Sequence, residues 1–205
     1  MLSISHKILL TLLITSIAGC ANKRQPKDIN NICEIFDSNP KWYKAAKKSS
    51  AKWGGPIHLP MAIIHQESSF KANARPSMQY FLGFIPKGRA SNAYGYSQAL
   101  KGTWADYQKS IGSKYKDRDN FASAFDFIQW YMHNTYTRNS VSKWDGYGQY
   151  LNYHEGHSGY ARGTYHSKQW LLNTAKKVDT RSKQFSSQLA GCKAQLDSKR
   201  NGWFW

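Results

Sequence analysis

Glu67 is the residue of this sequence best placed to do acid chemistry. It lies in the stretch Ile57-His-Leu-Pro-Met-Ala-Ile-Ile-His-Gln-Glu-Ser-Ser-Phe70, which reads as a short helix with Pro60 in its first turn, where a missing N–H costs nothing. At 3.6 residues per turn Glu67 shares a face with Ile63 and Ile64, so its carboxyl is carried into apolar surroundings near the helix C-terminus. Desolvation and the negative end of the helix dipole both disfavour the charged form, which is how a protein keeps a carboxylic acid protonated near neutral pH as a general acid. The plainer reading is a surface glutamate at a frayed helix end. Other chemistries find less support. Ser68 and Ser69 lack the glycine elbow of a serine nucleophile. His154 and His157 stand three apart with Glu155 between them, but no further ligand spacing accompanies them, so no metal and no cofactor are expected. The sequence holds three glutamates, Glu34, Glu67 and Glu155, and Glu155 is therefore the rival acid.

The elements that must position these groups are helical. Helical spacing or breakers mark segments at about 40–53, ended by Gly54-Gly55-Pro56, at 103–111, at 120–137 and at 167–197. Phe121, Phe125, Ile128, Met132 and Tyr136 fall on one face of the third and are expected in the core. No sustained period-two alternation occurs, so the class is mainly α. A chain of 205 residues, 40% hydrophobic and 15% aromatic, suffices for one well-buried domain, expected at 29–205, but hardly for two. Lys and Arg outnumber Asp and Glu 29 to 12, a formal charge of +17, which favours an anionic partner: nucleic acid, anionic lipid, lipopolysaccharide or a cell-wall polymer.

The N-terminus narrows that choice. Lys7 leads into the apolar run Ile8-Leu-Leu-Thr-Leu-Leu-Ile-Thr-Ser-Ile17, too short to span a bilayer and typical of an export signal over residues 1–19. Ile17-Ala18-Gly19-Cys20 resembles the lipobox of bacterial lipoproteins, so Cys20 is expected to carry lipid, with 20–28 as a tether. Ala21 in place of Asp implies, by the same resemblance, outer-membrane sorting on the periplasmic side. A nucleic-acid role is excluded by this reading. Cys33 and Cys192 remain as an even pair in an oxidising compartment, each on an apolar helical face, and a disulfide is expected; the other reading is two separate buried thiols.

Three motifs in order carry a further resemblance. Glu67-Ser68-Ser69-Phe70, followed by Ala74, is similar to the Glu-Ser motif of soluble lytic transglycosylases, which share the goose-type lysozyme fold. Ser91-Asn-Ala-Tyr-Gly95-Tyr-Ser-Gln98 resembles the second signature of that family, usually Gly-Leu-Met-Gln, with Gly95 and Gln98 kept and Tyr96-Ser97 substituted. Asn152-Tyr-His-Glu-Gly156 resembles the third, Ala-Tyr-Asn-Ala-Gly, with Tyr153 and Gly156 kept, His154 where Asn is usual and Glu155 where Ala is usual. The resemblance covers residues 55–162. It implies a lysozyme-like helical domain acting on peptidoglycan glycan strands.

The implied chemistry is cleavage of the β-1,4 bond between N-acetylmuramic acid and N-acetylglucosamine, with Glu67 protonating the leaving oxygen and then, as a base, helping the muramic C6 hydroxyl close a 1,6-anhydro ring. Ser68, Gly95, Gln98, Tyr153 and His154 are the expected substrate-side residues, and Tyr94, Tyr96 and Tyr160 are candidates for stacking on sugar faces. Glu155 reads either as a structural salt-bridge residue or as a second carboxyl, which would instead point to a lysozyme-like muramidase, and an inert wall-binding lipoprotein is the alternative outside enzymes. Residues 75–90 are an insertion relative to the family, readable as a flap over the glycan, as a partner or lipid contact, or as extra core. The terminal Trp203-Phe204-Trp205 suits an interface belt or a core plug.

Overall fold

The computed structural model describes residues 25–201; the export signal, Cys20 and the terminal aromatics lie outside them. Within this range the chain forms α1 (Ile32–Ser38), α2 (Pro40–Trp53), α3 (His58–Ser68), a hairpin of β1 (Met78–Phe81) and β2 (Ile85–Arg89), α4 (Lys101–Ser110), α5 (Phe121–Asn139), α6 (Gly146–Ala161) and α7 (Gln169–Asn201). The helices begin and end on local chemistry. Asn31, Asn120 and Asp145 cap α1, α5 and α6 by accepting N–H bonds from two or three residues ahead, and Pro40 opens α2, which closes on left-handed Gly54.

The centre is α3. Leu59, Met61, Ala62, Ile63 and Ile64 are all buried, so the first part of this helix is apolar nearly all round, as expected of a helix enclosed by others, and only Gln66 near its end is exposed. Its main neighbour is α7, and it also meets α5. Along α7 the buried positions are 171, 175, 178, 182, 185, 189 and 196, alternating steps of four and three that keep one stripe against α3, α6 and α1. At 1.5 Å per residue, α7 runs about 50 Å, which lets one element brace all three neighbours.

Two further joints fix the frame. Cys33 on α1 is disulfide-bonded to Cys192 on α7 across 159 residues of sequence, with Cα atoms 6.0 Å apart, and beside it the Gln188 amide accepts from Ile32 N–H and donates to the Asn30 carbonyl. On the opposite side Asp126 of α5 accepts from Ser49, Trp53 and Tyr107 at 2.7–2.9 Å. Burial works against its charge, but these donors outweigh it and hold the carboxyl below its usual range. One carboxylate thereby joins α2, α4 and α5. Trp42 of α2 lies flat on Phe121 of α5, with centroids 3.9 Å apart and planes 1° off parallel, extending the same contact through the core.

The mainly α class agrees with the sequence reading, and the helices expected at 40–53, 103–111, 120–137 and 167–197 lie within a few residues of α2, α4, α5 and α7, whereas α6 is a helix that reading does not expect. Two expectations need correction. Tyr136 is 52% exposed: α5 ends at Asn139, and near its end the ring turns outward to lie under the Lys143 ammonium. Residues 75–90 are not extra core, because β1 and β2 form an exposed two-stranded hairpin.

Candidate active site

The three sequence motifs converge on the C-terminal end of α3, and hydrogen bonds to backbone carbonyls join them. After Glu67 and Ser68 the chain turns through Ser69 (φ 49°) and Phe70 (φ 61°), two consecutive non-glycine residues in the left-handed region. Such backbone costs energy and persists only where its surroundings enforce it. Here the enforcement is Phe70, fully buried against Trp42, which pins the end of the helix and with it Glu67. The second motif is then clipped to the first: Gly95 N–H donates to the Ala74 carbonyl at 3.0 Å, and the Gln98 amide donates to the carbonyls of Ala74 and Gly95 at 2.9 and 2.8 Å. Gly95 is required at this point, since a Cβ would stand 2.0 Å from the Arg118 carbonyl oxygen. The third motif is held to the second by the Tyr153 hydroxyl, which donates to the Ser97 carbonyl at 2.6 Å.

Around Glu67 this arrangement produces a carboxyl reluctant to ionise. The residue as a whole is half-buried, and desolvation of its carboxyl raises the pKa to about 7. The Tyr150 hydroxyl donates to the carboxylate and opposes part of that rise. Tyr150 and Tyr153, one helical turn apart on α6, are in turn held protonated by burial and by the Glu67 charge. Glu67 is thus neutral or ionised with little cost either way at neutral pH, while Tyr150 offers a hydrogen bond that strengthens once the proton has left.

Other predicted residues are placed as follows. Ser68 is buried and donates to the Ile64 carbonyl of its own helix, a support for the helix end. Gln98 and Tyr153 have their donors committed to backbone carbonyls, so they act first as braces. Tyr94 lies between the guanidinium groups of Arg75 and Arg118, at 4.7 and 5.2 Å, and its hydroxyl reaches Asp119. Tyr160 stacks on Tyr165. Tyr96 is corrected: at 1% exposure, edge-on to Trp42 and Phe121, its face meets the core and not a sugar.

Glu155 takes the ion-pair role and not that of a second acid. Its side chain is only 4% exposed, both oxygens accept from Lys168 at 2.8 Å, and Thr164 and His154 donate as well. Burial alone would raise its pKa, but Lys168, Thr164 and His154 outweigh it and bring it down to about 2. A carboxylate so satisfied fastens α6 to the segment before α7 and holds no proton to give. His154, which packs against Trp170, belongs to that same cluster. The residue that sequence reasoning missed is Tyr150. Its signal was its position three residues before Tyr153, which on a helix puts both hydroxyls on one face. Gly156 (φ 73°, ψ 156°) kinks α6 directly after this face, a conformation essentially reserved for glycine. Among the described residues no three His, Cys, Asp or Glu side chains are grouped to hold a metal ion.

Comparison with known proteins agrees with this geometry. The family model for the transglycosylase SLT domain matches residues 8–192, and the chain belongs to that family. Its domain is of the lytic-transglycosylase type, acting on peptidoglycan. No curated protein and no solved structure matches the chain.

The buried acid has a consequence for stability. The folded chain holds the Glu67 proton up to about pH 7, whereas an unfolded chain releases it near 4.5, so the folded state binds more protons in that window and stability falls as pH rises through it. Glu67→Gln removes this loss. In urea unfolding the variant is expected to match the parent at pH 4 and to exceed it at pH 8 by on the order of 2 kcal/mol, discounted for the partial exposure of the residue. Equal stability at both pH values would contradict a desolvated carboxyl.

Proposed function

We propose that this protein is a lytic transglycosylase in which Glu67 alone serves as acid and then base, cutting the bond between N-acetylmuramic acid and N-acetylglucosamine to leave a 1,6-anhydro end. The observation that carries the reading is the desolvated carboxyl of Glu67 beside Tyr150, its pKa raised to about 7, with Glu155 of the third motif taken up by Lys168. Glu67 gives its proton to the glycosidic oxygen as that bond breaks. The substrate's own 2-acetamido group, in place of a second protein carboxylate, stabilises the positive charge at C1, as in substrate-assisted glycosidases. Glu67, now ionised and hydrogen-bonded by Tyr150, takes the proton of the C6 hydroxyl while that oxygen attacks C1, and the acid is regenerated without water. A pKa near 7 suits both halves of this cycle, because the driving force for giving and regaining the proton is balanced.

Digestion of purified sacculi followed by mass spectrometry of the products tests this reading. The parent protein is expected to release 1,6-anhydro muropeptides, and Glu67→Gln to lower turnover by roughly two to four orders of magnitude while still binding sacculi. Reducing-end products would indicate water as the acceptor and hence a muramidase. Full activity in Glu67→Gln would remove the assignment altogether, and sacculus binding without cleavage by the parent would favour an inert wall-binding protein.

We further propose that Cys20, outside the described residues, carries the lipid that holds the enzyme to the periplasmic side of an outer membrane, on the strength of the small residues Ala18 and Gly19 before it. Cys20→Ser is expected to move the protein from the membrane to the soluble fraction after a salt wash. Unchanged membrane retention would contradict a lipid on that residue.

A further inference from the structure

The hairpin of residues 78–89 has no role in the chemistry above, yet it departs furthest from what a soluble surface should look like. Phe81, Leu82 and Phe84 keep 58, 70 and 72% of their surface exposed, and Met78, Tyr80 and Ile85 are exposed beside them. The strands pair with each other, Phe81 opposite Ile85, and neither has an extended contact with any helix. A contiguous exposed apolar patch of this kind marks a contact surface, and a bare two-stranded hairpin is marginal in water.

The turn makes the point sharper. Leu82 (φ 51°) and Gly83 (φ 81°) are both left-handed, and Phe84 N–H donates to the Phe81 carbonyl, a turn within the three-residue connection whose first central position, at positive φ, ordinarily takes Asn, Asp or Gly. A leucine there is unfavourable for the backbone. The turn therefore does not account for the apolar side chain at the apex.

Charge identifies the kind of surface. From Glu67 to Asp106 the sequence has no acidic residue in between, while Lys71, Arg75, Lys87, Arg89 and Lys101 fall in that interval. Lys87 and Arg89 lie on β2 and are exposed, as is Arg75 just before the hairpin, so the apolar apex is backed by cations. The apex Phe81-Leu-Gly-Phe-Ile85 also carries no polar side chain with which to hydrogen-bond a sugar, which distinguishes it from a glycan-binding surface. Apolar groups that enter the acyl boundary, behind which basic groups meet anionic headgroups, are the features of an interfacial membrane contact.

We propose that the 78–89 hairpin is a membrane-contact element: its apex enters the interface of an anionic phospholipid bilayer, and Lys87 and Arg89 of β2 meet the headgroups. The proposal is independent of any lipid on Cys20 and of the glycan chemistry. The test is co-sedimentation with vesicles of phosphatidylethanolamine and phosphatidylglycerol, or of phosphatidylcholine alone, using full chains that all carry Cys20→Ser. Leu82→Asn combined with Phe84→Thr suits the connection while removing the apolar apex; it is expected to weaken binding to the anionic vesicles by at least about tenfold. Lys87→Glu, at an exposed site away from the core, is expected to weaken it by at least about fivefold on the anionic vesicles only. Raised salt should weaken the binding of the parent. Unchanged vesicle binding in the apex variant overturns the proposal. If vesicle binding is unchanged but cleavage of soluble glycan falls, the apex contacts sugar. If vesicle binding is unchanged but a parent dimer becomes monomeric in sedimentation, the apex contacts a second copy of the chain.

Discussion

Removing one carboxyl from water, and holding it where its proton can still be exchanged, is the constraint on which the rest of this structure depends. Burying Glu67 opposes stability above neutral pH, so the surroundings must be firm enough that the chain does not relax and hydrate it. The firmness comes from α3, a helix enclosed by apolar contacts with α7 and α5, and from the fully buried Phe70 that anchors its end. Tyr150 then tempers the desolvation with one hydrogen bond. Without that donor the acid would be held more tightly and would serve less well as a base.

The motifs read as chemistry but work largely as joinery. Among the described residues five non-glycine residues have positive φ, and three of them, Ser69, Phe70 and Gln98, belong to the first two motifs, while Gly156 breaks α6 at the third. Each departure from regular backbone is matched by a specific tie: Phe70 into the core, the Gln98 amide onto two carbonyls, the Tyr153 hydroxyl onto Ser97. A site assembled from strained turns that are individually clamped is preorganised, which matters when the same carboxyl must face two different oxygens in succession.

Much of this was legible in the sequence because it rests on periodicity and on local signals. Ile63 and Ile64 preceding Glu67 by four and three residues disclosed the apolar setting of the acid, the stripe through Val178, Phe185 and Cys192 disclosed the inner face of α7, and Asn120 and Gly54 marked helix boundaries. The pairing of Cys33 with Cys192 followed from counting. What was not legible depended on which residues meet across the fold. Tyr96 follows Gly95 in a motif, yet its ring fills the core beside Trp42. Glu155 stands two residues from Tyr153 and could have been a second acid, but Lys168, thirteen residues on, claims both its oxygens. Tyr150 was passed over because the family motif begins after it. Tertiary partners decide side-chain roles in each case, and a single sequence does not display them.

The central claim is that Glu67 holds its proton toward neutral pH while Glu155, the other glutamate of the motifs, does not, and the composition allows this to be measured directly. With only Glu34, Glu67 and Glu155 present, a chain labelled with carboxyl-13C glutamate gives three side-chain signals, assignable with Glu67→Gln and Glu155→Gln, whose chemical shifts can be followed against pH. The account predicts that the Glu67 signal titrates at about 7 and the Glu155 signal at about 2. A Glu67 signal that titrates near 4.5, the ordinary value for a glutamate, would contradict it.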